Sequence, residues 1–314
     1  MLTVRDRQSG EQFELAECPS CHTAFVQRRP PIEAMSAYYG AAYYSYRPEA
    51  PALQRIKTAV MERRDGRPTT SSIPIGGRER TLATLLPSSA APGYPTMLPA
   101  GTVLDVGCGS GSALDVFRHF GWRTTGVEIG EEARAEARRR GHAALRALDD
   151  LAVEARFDVV RFWHSLEHLH DPLGALIAAR SHMLTGGRLV IGVPNLDALS
   201  RRLMGRHWYA WDAPRHLYHF TRAGLAGLVD RAGFQVVRSR TYSDRGIVHS
   251  ALLAADHASG NRLRLLARLE ASRVLLLLSQ PLDVITGRFN GDNIALEAVA
   301  AEQPPVSSTA AETS

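Results

Sequence analysis

The feature that most constrains the fold is an apolar segment that runs directly into three glycines at alternate positions. The segment Thr102–Val106 reads TVLDV, and Gly107, Gly109 and Gly111 follow it. A short apolar run bounded by glycine predicts a buried strand. Glycine lets the backbone turn sharply and approach a ligand at the start of the helix that follows. The pattern therefore predicts a strand–helix unit with a ligand at the carboxyl end of the strand.

Short apolar segments continue to alternate with helical patterns along the rest of the chain. The further strand candidates are Arg123–Val127, Phe157–Phe162, Arg188–Val193, Phe234–Arg238 and a last one near Asn293–Val299. Strands that alternate with helices are typical of βαβ units, which form a parallel sheet. The sequence thus predicts an α/β fold.

An acidic residue ends the second strand candidate. Glu128 stands 17 residues after Gly111, where a carboxylate can accept hydrogen bonds from both hydroxyls of a ribose. A dinucleotide fingerprint, G-x-G-x-x-G, would need glycine at position 112, which is Ser112. The spacing here is G-x-G-x-G, so a nucleotide-dependent dehydrogenase is the weaker alternative, and cofactor binding separates the two.

The sequence resembles the class I S-adenosylmethionine-dependent methyltransferases in the order and spacing of its motifs. These motifs are the glycine loop, Glu128 and the segments 157–160, 164–172, 184–191 and 194–195. The resemblance extends from about Thr102 to Val237. It implies a Rossmann-like, seven-stranded, mostly parallel sheet with helices on both faces and an antiparallel last strand. It also implies an N-terminal lid segment and a helical insert. The expected activity is methyl transfer from S-adenosyl-L-methionine to a small-molecule acceptor, with a hydroxyl oxygen preferred.

The resemblance assigns a set of cofactor-binding residues. Asp105, Gly107 and Gly109 would line the methionine part, Glu128 the ribose and Ile129 the adenine. The partner of the adenine amine stays open between Leu148 and Asp149. The whole expected set is Asp105, Gly107, Cys108, Gly109, Gly111, Glu128, Ile129, Leu148, Asp149, Trp163 and His164.

A histidine-rich stretch follows the fourth strand candidate. His164, Glu167 and His168 have the i, i+3, i+4 spacing that brings side chains onto one helical face, a geometry that a divalent metal can use. The stretch resembles that of the ubiquinone-pathway O-methyltransferases, where Glu stands in place of His164 and has been linked to metal dependence. Because of this departure we predict no metal here, with Glu167 and His168 shaping the cofactor pocket.

Aromatic and cationic residues are dense between positions 206 and 220. Such a segment suits a stacking wall with polar partners for a substrate. The expected substrate-binding residues are Tyr43, Trp208, Tyr209, Arg215 and His216. His216 is the first candidate for a general base, followed by His219 and His164, because histidine titrates near neutral pH. A bracing role for His216 at the start of the next helix stays open.

Residues 1–100 are interpreted as an irregular preamble that holds a cysteine knuckle, a tyrosine-rich lid and a proline-rich linker. The methyltransferase domain is predicted over 101–300, with a helical insert at about 256–286 and a disordered tail over 301–314. The insert could cap the active site, form a homodimer contact or touch a membrane surface.

The knuckle consists of Cys18, Cys21 and His22. These residues supply three ligands, whereas a structural zinc ion requires four, so a metal-free remnant is expected.

Composition limits the remaining functional classes. The net charge is +5, yet the Lys/Arg runs are too short for a nucleic-acid footprint, and the motif typical of base amino-group methylation is absent after the fourth strand. Three cysteines provide no disulfide framework, and charged residues near the N-terminus interrupt any apolar core of a signal peptide, so we expect a cytoplasmic chain. The apolar runs are too short for a membrane span. Methylation of nitrogen or carbon in a sugar or secondary metabolite, and a non-catalytic cofactor- or partner-binding protein, stay as alternatives.

Overall fold

The computed structural model describes residues 2–6, 9–39, 51–66, 69–70, 72–86, 93–95, 98–243, 250 and 290–301. The expectations for Tyr43, for the helical insert and for nearly all of the tail lie outside the described residues.

The main sheet has seven strands in the order β10-β11-β8-β7-β4-β5-β6. Its strands are β4 (Thr102–Val106), β5 (Arg123–Val127), β6 (Ala143–Leu145), β7 (Phe157–Trp163), β8 (Met183–Pro194), β10 (Phe234–Tyr242) and β11 (Asn293–Ala300). The strands from β4 to β8 pair in parallel, whereas β11 runs antiparallel to both β8 and β10. The seven-stranded, mostly parallel sheet expected from the sequence is confirmed.

Two strands extend well beyond their predicted ends. Strand β8 begins at Met183 and β10 continues to Tyr242. Met183 pairs with Phe157 of β7, and the added residues of β10 pair with β11, which a local apolar pattern does not reveal. Strand β6 was not predicted because three residues are too few to show a period.

Helices cover both faces of this sheet. They are α1 (Pro51–Asp65), α2 (Gly77–Leu85), α3 (Ser112–His119), α4 (Glu131–Arg139), α5 (Pro172–Ser181), α6 (Leu199–Met204) and α7 (Arg222–Arg231). Leu176 of α5 and Leu225 of α7 pack on one face, while Val60 of α1 and Phe117 of α3 pack on the other. This is the two-sided covering that a buried parallel sheet needs.

A second, four-stranded sheet joins the N-terminal segment to the main domain. It consists of β1 (Leu2–Arg5), β2 (Gln12–Glu17), β3 (Ala24–Val26) and β9 (Tyr218–His219), in that order. Phe25 pairs with Tyr218. The sequence analysis predicted an irregular segment here. The sheet was not predicted because its last strand, β9, is two residues long and lies far along the chain.

The cysteine knuckle lies in the turn between β2 and β3. Cys18 and Cys21 are half-buried free thiols, and the exposed His22 ring lies 2.8 Å from the Glu17 carboxylate. Hydrogen bonds from Cys21 and Ser20 lower the pKa of the Cys18 thiol. Among the described residues these side chains belong to no group of three metal-type ligands.

Helices long and apolar enough to cross a membrane are absent from the described part of the chain.

Candidate active site

The glycine loop adopts the backbone conformations that its sequence requires. Gly107, Gly109 and Gly111 have φ values of 83°, 55° and 83°. The N–H groups of Gly107 and Cys108 both donate to the Val127 carbonyl, at 2.8 and 3.1 Å. A Cβ atom at Gly107 would lie 2.4 Å from the Ser165 Cβ. The loop thus needs glycine both for its φ angles and for its close approach to the segment after β7.

Glu128 closes the loop from the neighbouring strand. Its carboxylate is buried and accepts hydrogen bonds from the Gly109 N–H at 2.9 Å and the Gly130 N–H at 2.7 Å. Burial raises the pKa of Glu128, against the lowering effect of the two backbone N–H groups and of Arg134. Each oxygen keeps a further lone pair for a ribose hydroxyl. Ile129 follows with 68% of its surface exposed, as an adenine-packing residue would need.

Asp105 has a partner that the sequence did not indicate. Both of its oxygens accept from Arg161 Nη1, at 2.7 and 2.8 Å, and the pair is buried between β4 and β7. Arg161 also lies over the Tyr94 and Trp163 rings, at 5.6 and 5.2 Å from their centroids. The Asp105 carboxylate is therefore already neutralised within the sheet. Its expected contact with the methionine part of the cofactor stays a prediction.

The remaining cofactor candidates differ in exposure. The Cys108 thiol is buried against Gly126, where a Cβ would lie 2.4 Å from its sulfur, and burial raises the pKa of this thiol. A Cβ at Gly111 would lie 2.9 Å from the His142 ring. Leu148 is half-buried and Asp149 exposed in one 3₁₀ turn after β6. A contact of either residue with the adenine amine stays a prediction.

Three consecutive side chains stand at the carboxyl end of β7, and the last of them, Ser165, packs against the glycine loop. Ser165 Oγ donates to the Val106 carbonyl at 2.5 Å, which ties the two segments together. Trp163 stacks on Tyr242 with ring centroids 5.8 Å apart and 13° between planes. His164 has a positive φ of 53°, and its Nε2 lies 3.2 Å from the Tyr242 hydroxyl. Tyr242 was not predicted, because it lies beyond the predicted end of its strand.

Beneath His164 lies a fully buried carboxylate. Glu167 Oε1 is 3.5 Å from His164 Nδ1, and neither Glu167 oxygen makes a hydrogen bond within the described structure. Burial alone would raise the pKa of Glu167, but the His164 contact and the nearby His168 and His216 rings lower it to about 2. The side chain is therefore an anion at neutral pH.

Glu167 also forms the one metal-type cluster among the described residues. Ligand atoms of Glu167, His168 and His216 lie within 4.8 Å of one another. One carboxylate with two imidazoles is a donor set that suits a divalent ion such as zinc. The cluster differs from the trio that the sequence spacing suggested, because His216 comes from the segment before β9 and takes the place of His164.

Comparison with known proteins identifies the domain that carries this site. Residues 77–239, which are 163 of the 314 residues, match a family model described as "Methyltransferase domain". The chain belongs to this methyltransferase family. The domain is S-adenosylmethionine-dependent, and the glycine loop and Glu128 fit that cofactor.

Curated relatives point to the same family. The chain is 29% identical over 134 residues to a ubiquinone biosynthesis O-methyltransferase of Xanthomonas campestris pv. campestris (strain B100), covering 39% of this chain and 56% of that one. It is 30% identical over 154 residues to the enzyme of that name from Xanthomonas axonopodis pv. citri (strain 306), covering 44% and 64%. The chain thus spans between half and two thirds of the length of these relatives.

Solved structures are similar in fold. A SAM-dependent methyltransferase from Archaeoglobus fulgidus is 20% identical, with a TM-score of 0.44 and coverage of 64% of this chain and 86% of that one. Magnesium protoporphyrin IX methyltransferase from Synechocystis PCC 6803 is 17% identical, with a TM-score of 0.41 and coverage of 65% and 75%.

Two of the predicted bases are buried in the methyltransferase domain. His216 Nδ1 lies 2.7 Å from the Ala210 carbonyl, and His219 Nε2 lies 2.9 Å from the Trp211 carbonyl. Burial lowers the pKa of His219 to about 3 and that of His168 to about 4. By contrast, the His164 side chain is 34% exposed. Of the three candidate bases, only His164 is accessible to an acceptor from solvent.

The expected substrate wall lies largely inside the protein. Trp208 is 1% exposed and donates from Nε1 to Ser200 Oγ at 3.0 Å. Arg215 is 3% exposed and pairs with Asp212 at 2.7 Å and Asp6 at 2.9 Å. Both side chains face the four-stranded sheet, so their contacts favour a structural role. Tyr209 is half-buried.

Proposed function

We propose that this methyltransferase moves the methyl group of S-adenosyl-L-methionine to a hydroxyl oxygen of a small molecule, with His164 as the general base. The observation that carries the proposal is the position of His164. It is partly exposed, directly precedes the Ser165 that packs against Gly107, and lies 3.5 Å from the buried Glu167 carboxylate and 3.2 Å from the Tyr242 hydroxyl. The name of the curated relatives, ubiquinone biosynthesis O-methyltransferase, supports an oxygen acceptor.

The residues divide the work as follows. When bound, the cofactor supplies an electrophilic methyl group on a sulfonium. The glycine loop and Glu128 fix its position, so that the acceptor oxygen and the methyl carbon can be aligned. His164 Nε2 takes the proton that the acceptor hydroxyl loses as the new oxygen–carbon bond forms. Glu167, whose Oε1 lies 3.5 Å from His164 Nδ1, stabilises the resulting imidazolium, and the Tyr242 hydroxyl lies 3.2 Å from the nitrogen that takes the proton.

The buried carboxylate explains why this histidine suits the reaction. The Glu167 carboxylate lies 3.5 Å from Nδ1, where it stabilises the positive charge that forms on the ring during proton transfer. A phenol, whose pKa is near 10 as in tyrosine, gives up its proton more readily than an aliphatic alcohol. A phenolic hydroxyl is therefore the acceptor class that the site serves best.

The test is turnover with a panel of catechols and aliphatic alcohols, comparing the wild type with His164→Gln. We expect kcat to fall at least about 100-fold while S-adenosylhomocysteine binding stays unchanged. His182→Gln is the matched control and should keep full activity. His182 directly precedes β8, at the end of the strands opposite to the site, and lies beside the Ala155 carbonyl. A loss of only a few-fold in His164→Gln would remove the base role and favour a nitrogen or carbon acceptor.

The non-catalytic alternative is tested by titration calorimetry with S-adenosylmethionine, S-adenosylhomocysteine and NADH. Binding of the first two, without turnover of any acceptor in the panel, would favour a protein that binds the cofactor but does not catalyse. A reducing cytoplasmic location, inferred from three free cysteines, belongs to this proposal as well.

A further inference from the structure

A cavity of about 800 Å³ lies on the α7 face of the main sheet, apart from the cofactor site. Its walls come from the residues before α6, from α6, the first half of α7 and strand β10, and from Asn290. The charged and hydroxyl-bearing residues among them are Asp197, Arg201, Arg202, Arg222 and Ser239. Residues 239 and 242 are three apart on a strand, so their side chains point to opposite faces. The cavity is therefore separated by β10 from the stacked Trp163 and Tyr242 rings.

The cavity is positively charged. Its three arginines and one aspartate give it a net charge of +2. Helix α7 begins at Arg222 with no acidic residue in its first turn, so its dipole adds further positive potential. The Thr221 hydroxyl occupies one N–H group of that turn, the one of Gly224.

Of the arginines of the cavity, Arg201 is half-buried and Arg202 and Arg222 are exposed, whereas Arg161 and Arg215 are buried. Arg161 and Arg215 each pair with carboxylates at hydrogen-bond distance. In the described part of the chain no carboxylate lies within ion-pair distance of Arg201, Arg202 or Arg222. Moreover, Arg201 Nε and Ser239 Oγ are buried polar atoms without a hydrogen-bond partner. Buried polar atoms are nearly always satisfied, and a ligand in the cavity can supply the partner that these two atoms lack.

We infer that this cavity binds the phosphate group of a small molecule. Guanidinium groups form paired hydrogen bonds with phosphate oxygens, and a net charge of +2 matches one phosphate dianion. A volume of about 800 Å³ has room for the organic part of such a ligand as well. Asp197 is the one anion among these wall residues and limits the affinity.

The first measurement is titration calorimetry of the full chain with sodium pyrophosphate in 150 mM NaCl, with no turnover required. We expect saturable binding that weakens at least about 10-fold in Arg201→Gln and in Arg222→Gln, the loss typical of a charge-assisted hydrogen bond. Arg231→Gln, an exposed arginine at the other end of α7, is the control and should bind like the wild type. Asp197→Asn should bind several-fold more tightly, a gain that misfolding cannot produce.

Several outcomes would overturn the inference: no saturable binding by the wild type, an equal loss in Arg231→Gln, or binding to phosphatidylglycerol vesicles without any binding of pyrophosphate. S-Adenosylhomocysteine affinity should be the same in all four variants, because the cavity is separate from the cofactor site. Failure of the methyl-transfer proposal would leave this binding unchanged. Competition of pyrophosphate with the acceptor in a turnover assay would identify the phosphate as part of the acceptor, and its absence would identify a separate ligand.

Discussion

The sequence suggests a ligand site both at the glycine loop and at the aromatic segment 206–220, but in the structure the side chains of the aromatic segment are largely buried. In the loop, function depends on the backbone: positive φ angles and N–H groups that Glu128 holds from the next strand. Local sequence encodes such features directly. In the aromatic segment, function would depend on which side chains are exposed, and exposure is decided by residues far away in the chain.

The four-stranded N-terminal sheet covers the aromatic segment and so determines which of its side chains are exposed. Val4, Phe13 and Val26 form a core with Trp208 and Trp211. A dense group of aromatic and basic residues can therefore indicate an interior contact between two parts of a chain as readily as a substrate wall. A motif that is defined by backbone conformation, such as the glycine loop, therefore predicts a ligand site more reliably than a motif that is defined only by the types of its side chains.

The largest effect should come from breaking the contact that covers the aromatic segment. Arg215→Met leaves Asp6 and Asp212 buried without their cation, which should cost about 3–5 kcal/mol in the free energy of unfolding, measured by urea denaturation. Arg156→Gln, an exposed arginine, is the control and should change little. If Arg215 instead served the substrate, the variant would keep its stability and show only a higher KM.

The second prediction tests the backbone requirement of the loop. A methyl group at position 107 would collide with Ser165, so Gly107→Ala should weaken S-adenosylhomocysteine binding at least about 100-fold. Gly186→Ala is the matched control: its φ is also positive, at 76°, but an added Cβ meets nothing within 4 Å. Calorimetry on both, with thermal melts to verify folding, would contradict the loop assignment if their affinities were equal.

The third prediction concerns the carboxylate beside the loop. Glu128→Gln replaces an acceptor pair with a single carbonyl, which should weaken cofactor binding about 10- to 100-fold. Stability should also fall, by about 1–3 kcal/mol, because the amide nitrogen of Gln cannot accept the N–H of Gly109 or Gly130 that a carboxylate oxygen now accepts. An unchanged affinity for S-adenosylhomocysteine would mean that the ribose hydroxyls are held elsewhere.

Features that depend on local sequence could be predicted, whereas features that depend on contacts between distant segments could not. Strands β4 and β5, the loop and Glu128 follow from local patterns, and the structure places them as predicted. Tyr242 and the pairing of Asp105 with Arg161 were missed because each depends on which strands become neighbours. Glu167 was recognised as part of a cluster, but its contact with His216 crosses from one segment to another 49 residues along the chain. Burial of His216 and His219 under the N-terminal sheet could not be read from their own surroundings.

The last expected effect is a pH dependence of stability that arises from the half-buried His168 and the buried His219. His168 and His219 titrate near pH 4 and 3 in the folded protein but near 6.5 when unfolded. Between these values the unfolded chain binds more protons, so stability is full above about pH 6.5 and falls on acidification, by about 1.4 kcal/mol per pH unit for each histidine. Tm should thus decrease by several degrees between pH 6.5 and 5, before most carboxylates titrate. His219→Gln should show a shallower decrease than the wild type. A Tm that is flat over this interval would mean that the aromatic segment, unlike the glycine loop, is open to water.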